Sequence, residues 1–548
     1  MTAKESISTA ASLLRPYWAY LLLALLAVRL LHNKFRPGLR SIPGPPVAAY
    51  TGLWRFFDVA KGQAHWTHIN LHKKYGPLVR IGPNHVSVGD PKEIANIYGL
   101  NKGYTKSGFY PIQSISWHKQ PQMNIFSTRD EKYHHDQKRP IASAYSLTSL
   151  LAKEDAIDSC SRLFMQQLGS FADKNKPVDL GQWLQYYAFD VIGELSFARK
   201  LGFLQAGTDV DGMMETIAGI LVYASLCGQL PEWHPFLLGN PLFPILLPSM
   251  ESWNSVLTFT LKAVNTALTT STAAEPTAGE ALLKRDGDVS AAALAALDAR
   301  GDMLSRWSAL RLADPPRVTT RDMVVHLSTN VFAGSDTTAI ALRAILYFLL
   351  KNPRAMRALV AEIDAADAAG LFAAARGGGG GGVVSYREAT THLPYLDAVV
   401  REALRLHPSV GLLLERVVPP AGAEICGRWI PGGTVVGVNA WVTQHDGRVF
   451  AEPERFWPER WLQAGEAERK RMDASFLAFG AGSRTCLGKH ISMMEMMKVV
   501  PQLLREFEVE LEGGAGREWK VKNRWFVQQE GLICALRRRE RKGEKSEA

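Results

Sequence analysis

Between Ile7 and Val28 the only charge is Arg15, and Pro16 to Val28 is unbroken apolar sequence, PYWAYLLLALLAV. Arg29, Lys34, Arg36 and Arg40 follow it. The run is short for a membrane span, but arginines at its edges lengthen it by reaching along the helix to the interface. No small-x-small cleavage site follows the apolar core, so the pattern predicts a retained anchor helix over a removed export signal. Positive charge after the span places the rest of the chain on the cytosolic side. Ser41 to Pro46, SIPGPP, reads as a stiff, helix-hostile hinge. Val79 to Val88 alternates around Gly-Pro-Asn and predicts a β-hairpin. Helical patterns then dominate to about Gly370, and a mixed part closes the chain.

Two helices stand out. Thr320 to Lys351 starts after Val318-Thr319 and stops at Asn352-Pro353. At 1.5 Å per residue it runs roughly 45 Å, enough to cross a whole domain. His392 to His407 has an apolar face at Leu396, Val399, Val400, Ala403 and Leu404 and ends before Pro408. Two stretches read as insertions. Thr269 to Arg300 is Ala-rich, and Arg376 to Gly382 carries six consecutive glycines, a flexible linker.

Composition narrows the class. The 548 residues are 47% hydrophobic and 21% charged, an ordinary globular balance. The net charge of +10 fits nucleic acid, an anionic membrane surface or an acidic partner. No zinc spacing or nucleic-acid motif accompanies it, which favours membrane and partner protein over nucleic acid. The cysteines, 160, 227, 426, 486 and 534, are odd in number and widely spaced, which points to a reducing compartment.

The chemistry concentrates in Phe479 to Gly488, FGAGSRTCLG, directly ahead of a helical run. A thiolate at a helix start gains from the helix dipole and unpaired N–H groups. Gly480, Gly482 and Gly488 remove side chains where a flat ligand can approach the backbone. Arg484 offers a fixed fork to an anion. A lone thiolate, a flat partner and an anion point to haem iron with a sulfur axial ligand. A buried structural cysteine is the ordinary alternative. At roughly a twentieth of usage per residue type, Phe479, Gly482, Arg484, Cys486 and Gly488 would meet this pattern by chance in fewer than about one chain in a thousand.

With these residues the chain resembles the cytochrome P-450 superfamily, whose haem signature, Phe-x-x-Gly-x-Arg-x-Cys-x-Gly, it matches in full. The resemblance implies a mainly α fold, one large helical domain with a small β-rich part and an N-terminal anchor. That divides the chain into 1–40, anchor and basic flank, and 41–548, catalytic domain. It implies heme b with Cys486 as the iron ligand and Phe479, Arg484 and Gly488 in the cofactor loop. Ala333 to Thr338, AGSDTT, matches the family's oxygen-activation motif. Read from the residues alone, Gly334 lets a neighbour press on the helix, and Thr337 can bond back to the Ala333 carbonyl and bend it. The resemblance adds that Asp336 and Thr337 supply the protons for dioxygen cleavage.

Glu402 and Arg405 share a helix face, and the family joins such a pair to the arginine of Pro458-Glu459-Arg460. The three would form a buried charge network that fixes the cysteine loop. Arg416 stands where the family places a haem-propionate arginine. In YHHDQKR, His135 and Arg139 are one turn apart and reach the same anion side, with His134 an alternative; the family often has Trp-x-x-x-Arg here.

The resemblance assigns the substrate pocket to Tyr104–Phe126, the region from Val210 to Trp253, Val331 and Ala333, Val410 to Leu414, and Trp525-Phe526-Val527. Their apolar and aromatic character suits a lipophilic small molecule. RWFVQQEGL and the stretch from QHDGRVF to PERW look most like fungal secondary-metabolism members near pisatin demethylase. The implied protein is a monooxygenase held in the endoplasmic reticulum membrane by a single span, its catalytic domain cytosolic. Electrons come from an NADPH-dependent flavoprotein reductase, attracted by basic residues such as Lys489 and Lys498. A haem-thiolate isomerase or dehydratase on the same fold is one alternative, and a haem sensor without turnover is another. The intact Asp336–Thr337 pair argues against the first, and the relay with the lipophilic pocket against the second.

Overall fold

The structure, a computed structural model, describes residues 17–117, 120–237, 255–269, 301–314, 317–373 and 382–539. The predicted insertions, apart from Thr269 and Gly382, lie outside these residues, as do 7–16 of the apolar stretch and 238–253 of the expected pocket wall.

Helix α1, Trp18–Lys34, has no buried residue; Leu22, Leu23 and Val28 are 60–64% exposed. Its C-terminus is closed by a residue distant in sequence. Arg80 is buried, and its guanidinium donates to the carbonyls of Asn33 (2.5 Å), Lys34 (2.9 Å), Pro83 (2.9 Å), Gly82 (3.3 Å) and Leu39 (3.4 Å). A cation on the last carbonyls of a helix meets the negative end of its dipole. The expected hinge at 41–46 is docked along the sheet. The Arg80 N–H donates to Pro43 O at 2.7 Å, and a Cβ on Gly44 would stand 2.1 Å from Arg80 O.

The predicted hairpin forms from β1, Leu78–Gly82, and β2, His85–Val88. With β3 (Thr105–Lys106), β4 (Arg416–Val417) and β5 (Val435–Val438) it makes a five-stranded sheet in the order β1-β2-β5-β4-β3. β5 runs parallel to β2, and the other neighbours are antiparallel. Lys106 pairs directly with Arg416 across β3 and β4, and directly opposed residues share a sheet face.

The helical part is built around a buried pair. Helix α2, Glu131–Ile141, buries His134, Gln137 and Ile141. Helix α3, Leu180–Phe197, is buried almost all round, as a core helix should be. Helix α4 spans Thr320–Lys351 as the sequence predicts, and Thr319 and Asp322 close its start in a reciprocal capping box. α3 presses on α4 at Gly334, where a Cβ would come within 3.0 Å of Ile192 Cδ1. The helix predicted at 392–407 forms as α5, Pro394–Leu406, directly after a short helix, Tyr386–His392. Pro394 takes the first helical position, where its missing N–H costs nothing. Helix α6, Lys489–Glu506, follows the cysteine loop, and a last hairpin joins β6, Lys520–Arg524, to β7, Phe526–Glu530.

Candidate active site

Cys486 opens onto a cavity of about 350 Å³ between α4 and the cysteine loop. Its N–H donates to Phe479 O at 2.9 Å, which closes the loop on itself. Burial raises the thiol pKa. The Gly488 N–H, Lys138, and Lys489 with its own N–H pull the other way. Iron binding would remove the proton outright. Gly480 and Gly488 line the cavity, and a Cβ on either would meet nothing closer than 3.8 Å and 4.0 Å. Gly482 has a different reason to be glycine. Gly480 shares its positive φ (+68° against +66°), but a Cβ on Gly482 would lie 1.7 Å from Tyr98 O, so this glycine lets the loop pack on the short helix Glu93–Tyr98 rather than on a ligand.

The charge network behind the loop forms. Glu402 and Arg405 are fully buried and Arg460 nearly so. Glu402 accepts from Arg405 Nη2 and Nε at 2.8 and 2.9 Å, Arg460 Nε at 3.0 Å, the Trp457 N–H at 3.0 Å and Trp461 Nε1 at 2.9 Å. Arg405 also donates to Gln444 O at 2.8 Å, and Gln444 Oε1 takes the Leu477 N–H at 2.7 Å, two residues before Phe479. The network therefore reaches the cysteine loop through one glutamine.

Across the cavity stands Thr337, whose hydroxyl donates back to Ala333 O at 2.8 Å. Asp336 faces away from the cavity. Its carboxylate accepts from Gln185 at 2.5 Å and Gln528 at 3.0 Å, and burial raises its pKa to about 6 against the pull of Arg343. The helix turn of about 100° per residue carries Asp336 to the Gln185–Gln528 side, while Thr337 and Thr338 line the cavity.

The same geometry corrects the anion side. His135 and Arg139 are exposed on α2; the cavity is reached by His134, Lys138 and Ile141, at positions i, i+4 and i+7. The carboxylate of Asp130 caps this helix by accepting from the N–H groups of Lys132 and Tyr133, and its buried face carries His134, Gln137 and Ile141. Arg416 and Lys106 line the cavity from one sheet face, and Arg484 from the loop. Arg416 donates to Tyr110 Oη at 3.2 Å, and Arg484 holds Glu131 at 2.8 and 3.2 Å. Lys106, which the sequence reading passed over, sits 4.1 Å from both the Tyr110 and Phe126 ring centres. Its pairing with Arg416 across the sheet was the missing signal. Lys498, expected near the partner surface, is fully buried and paired with Glu154 and Asp158, whereas Lys489 is exposed.

The apolar wall uses Ile115, Phe126, Ile220, Ala333, Val410, Leu412, Trp525 and Phe526. Val331 and Val527 belong to the core instead. A thiol on the floor, glycines beside it and cations at one rim form a donor set that fits a flat, dianionic iron macrocycle.

The family model described as Cytochrome P450 matches residues 42–533. The chain belongs to the cytochrome P450 family. A cytochrome P450 monooxygenase of Aspergillus terreus is 41% identical, covering 88% of this chain and 93% of its own. Cytochrome P450 monooxygenase cicH of Emericella nidulans is 38% identical over 95% and 98% of the two chains. Pisatin demethylase of Fusarium vanettenii is 34% identical over 94% and 93%. The P450 is thus a haem-thiolate monooxygenase with heme b as its cofactor.

Proposed function

We propose that this P450 oxidises a lipophilic small molecule in fungal secondary metabolism, held to the endoplasmic reticulum membrane by α1 and supplied with NADPH electrons by a flavoprotein reductase. The observation that carries the reading is the apolar cavity with Cys486 at its floor and the Thr337 hydroxyl opposite. When bound, the haem supplies the redox chemistry that inserts one atom of dioxygen into substrate. The chain's residues hold and protect that chemistry. Cys486 is the iron ligand, within the loop of Phe479 and Gly488. Arg416, Arg484, Lys106, Lys138 and His134 take the propionate side; His135 and Arg139 do not reach it. Thr337 Oγ1 lies at the cavity and can present its proton there only after leaving Ala333 O. Asp336 can refill that hydroxyl only after its carboxyl leaves Gln185 and Gln528.

The anchor reading, with 1–40 as anchor and basic flank and 41–548 as catalytic domain, is supported by the exposed apolar surface of α1. Its 17 residues span roughly 26 Å, close to a bilayer's hydrocarbon core. Deleting residues 1–34 is expected to move the protein from membranes to the soluble fraction with haem retained. The deciding test is the carbon-monoxide difference spectrum of the reduced protein. A strongly red-shifted Soret band is expected, and its absence from folded, haem-loaded protein would overturn the reading.

A further inference from the structure

The last hairpin reverses on a single residue: Arg524 and Phe526 pair across the ladder, so Trp525 alone makes the turn. Its φ is +74°, the left-handed region, where a bulky aromatic side chain is strained. Such strain persists only where the surroundings over-determine it, and here they do. The Gly411 N–H donates to Trp525 O at 2.9 Å, and Asn523 Nδ2 holds Gly411 O at 2.9 Å. Arg524 Nη1 and Nη2 reach Val59 O and Ala60 O at 2.7 and 2.9 Å. The backbone is thereby fixed on both sides of an indole that lines the cavity and is only 2% exposed.

That indole stands in an aromatic corner. Its ring centre lies 4.9 Å from Phe109, 6.2 Å from Tyr110 and 6.4 Å from Phe126. A buried indole N–H usually finds an acceptor. Trp441 donates to Pro408 O at 3.0 Å and Trp461 to Glu402 at 2.9 Å. No described residue accepts the Trp525 N–H, and this nitrogen is not among the fully enclosed unpaired atoms, so it keeps contact with open space. No Asp or Glu among the described residues lines the cavity either, so a cationic substrate would find no counter-charge.

We propose that Trp525 selects the substrate class: a planar aromatic molecule carrying a carbonyl or ether oxygen that accepts the indole N–H while its ring packs in the corner formed with Tyr110 and Phe126. The proposal rests on the reading above, which makes this cavity the substrate site. An aliphatic chain can bury equal area against the same rings, but it leaves the N–H unpaired. A site with a buried donor discriminates against molecules that cannot satisfy it.

The test uses the full-length, haem-loaded protein in detergent, with flavone, phenanthrene and dodecanol as probes in equilibrium dialysis. Trp525→Phe keeps a ring and the strained turn but removes the N–H. Flavone affinity is expected to fall about fivefold to tenfold, the size of one neutral hydrogen bond, with phenanthrene changed less than about twofold. Trp525→Gly, which suits the positive φ, covers the case of a misfolded Phe variant: both aromatics should weaken, flavone by more. Equal losses for flavone and phenanthrene in either variant, no loss for flavone, or dodecanol binding the unaltered protein as tightly as flavone, would overturn the proposal. Dialysis does not depend on oxidation. Trp525-dependent flavone binding without a thiolate spectrum would therefore refute the monooxygenase reading and support this one. A normal thiolate spectrum with Trp525-independent binding would do the reverse.

Discussion

Glu402→Gln is the sharpest perturbation of the scaffold. It changes almost no volume and removes one charge. In the native protein that charge lies between two guanidinium groups, with Glu402 and Arg405 fully buried and Arg460 5% exposed. Every neighbour within hydrogen-bond reach of the carboxylate is a donor, so the new amide NH₂ would face N–H groups. Arg405 keeps the carbonyls of Gln444, Pro453 and Arg455, and Arg460 those of Ala451 and Glu452. These carbonyls solvate the cations but do not neutralise them. Breaking a buried pair by deleting one partner costs about 3–5 kcal/mol, and two stranded cations place this variant at the upper end, about 5 kcal/mol. The loss should appear first at the cysteine loop, through Gln444 and Leu477. The assay is haem content per protein and the carbon-monoxide spectrum along a urea series. Glu454→Gln is the control, because its pair with Lys73 is 59% and 67% exposed and should be worth about 0–1 kcal/mol. Full haem content and an unchanged urea midpoint in Glu402→Gln would refute the reasoning.

Burial lowers the pKa of His65, His68 and His445 to about 3 and of His407 to about 4. The unfolded chain binds protons below about pH 6.5 that these native imidazoles refuse. Stability is therefore full above pH 6.5 and falls as the pH drops towards the folded values near 3 and 4, by about 1.4 kcal/mol per histidine at pH 5.5; equal melting temperatures at pH 7.5 and 5.5 would contradict this. Gly482→Ala should cost about 3 kcal/mol or more in denaturant titrations, from a positive φ and the overlap with Tyr98 O. Gly488→Ala should cost about 1 kcal/mol or less, and equal costs would show that the Tyr98 contact is not what matters. Thr337→Ala should divert NADPH-derived electrons to hydrogen peroxide, read as product formed per NADPH, and unchanged coupling would remove Thr337 from the proton path.

Much of this was legible in the sequence because its causes are local. The limits of α4 are written by the Thr319–Asp322 capping box and by Asn352-Pro353, and the cysteine loop by its own glycines. The phase of α2 was not legible. His134-His135 and Lys138-Arg139 are doublets, so either register places a histidine one turn from a cation, and only the packing of α2, which buries His134, Gln137 and Ile141, decides between them. The surroundings of Lys498 and Asp336 were hidden for a related reason. Their partners, Glu154 and Gln185, lie 344 and 151 positions away, and no local pattern announces such a pairing. Gly482 illustrates a subtler limit, since the sequence shows that a glycine is needed but not which neighbour demands it.

Arg80 alters what the N-terminal helix can do mechanically. A tether transmits only tension, but a helix whose final carbonyls are gripped by a guanidinium rooted in the sheet also transmits torque. Rocking α1 must rock β1, and through the sheet the strand that carries Arg416. In that sense α1 is a lever arm with Arg80 as its fulcrum. Cutting Arg80 to alanine would turn the same helix back into a leash.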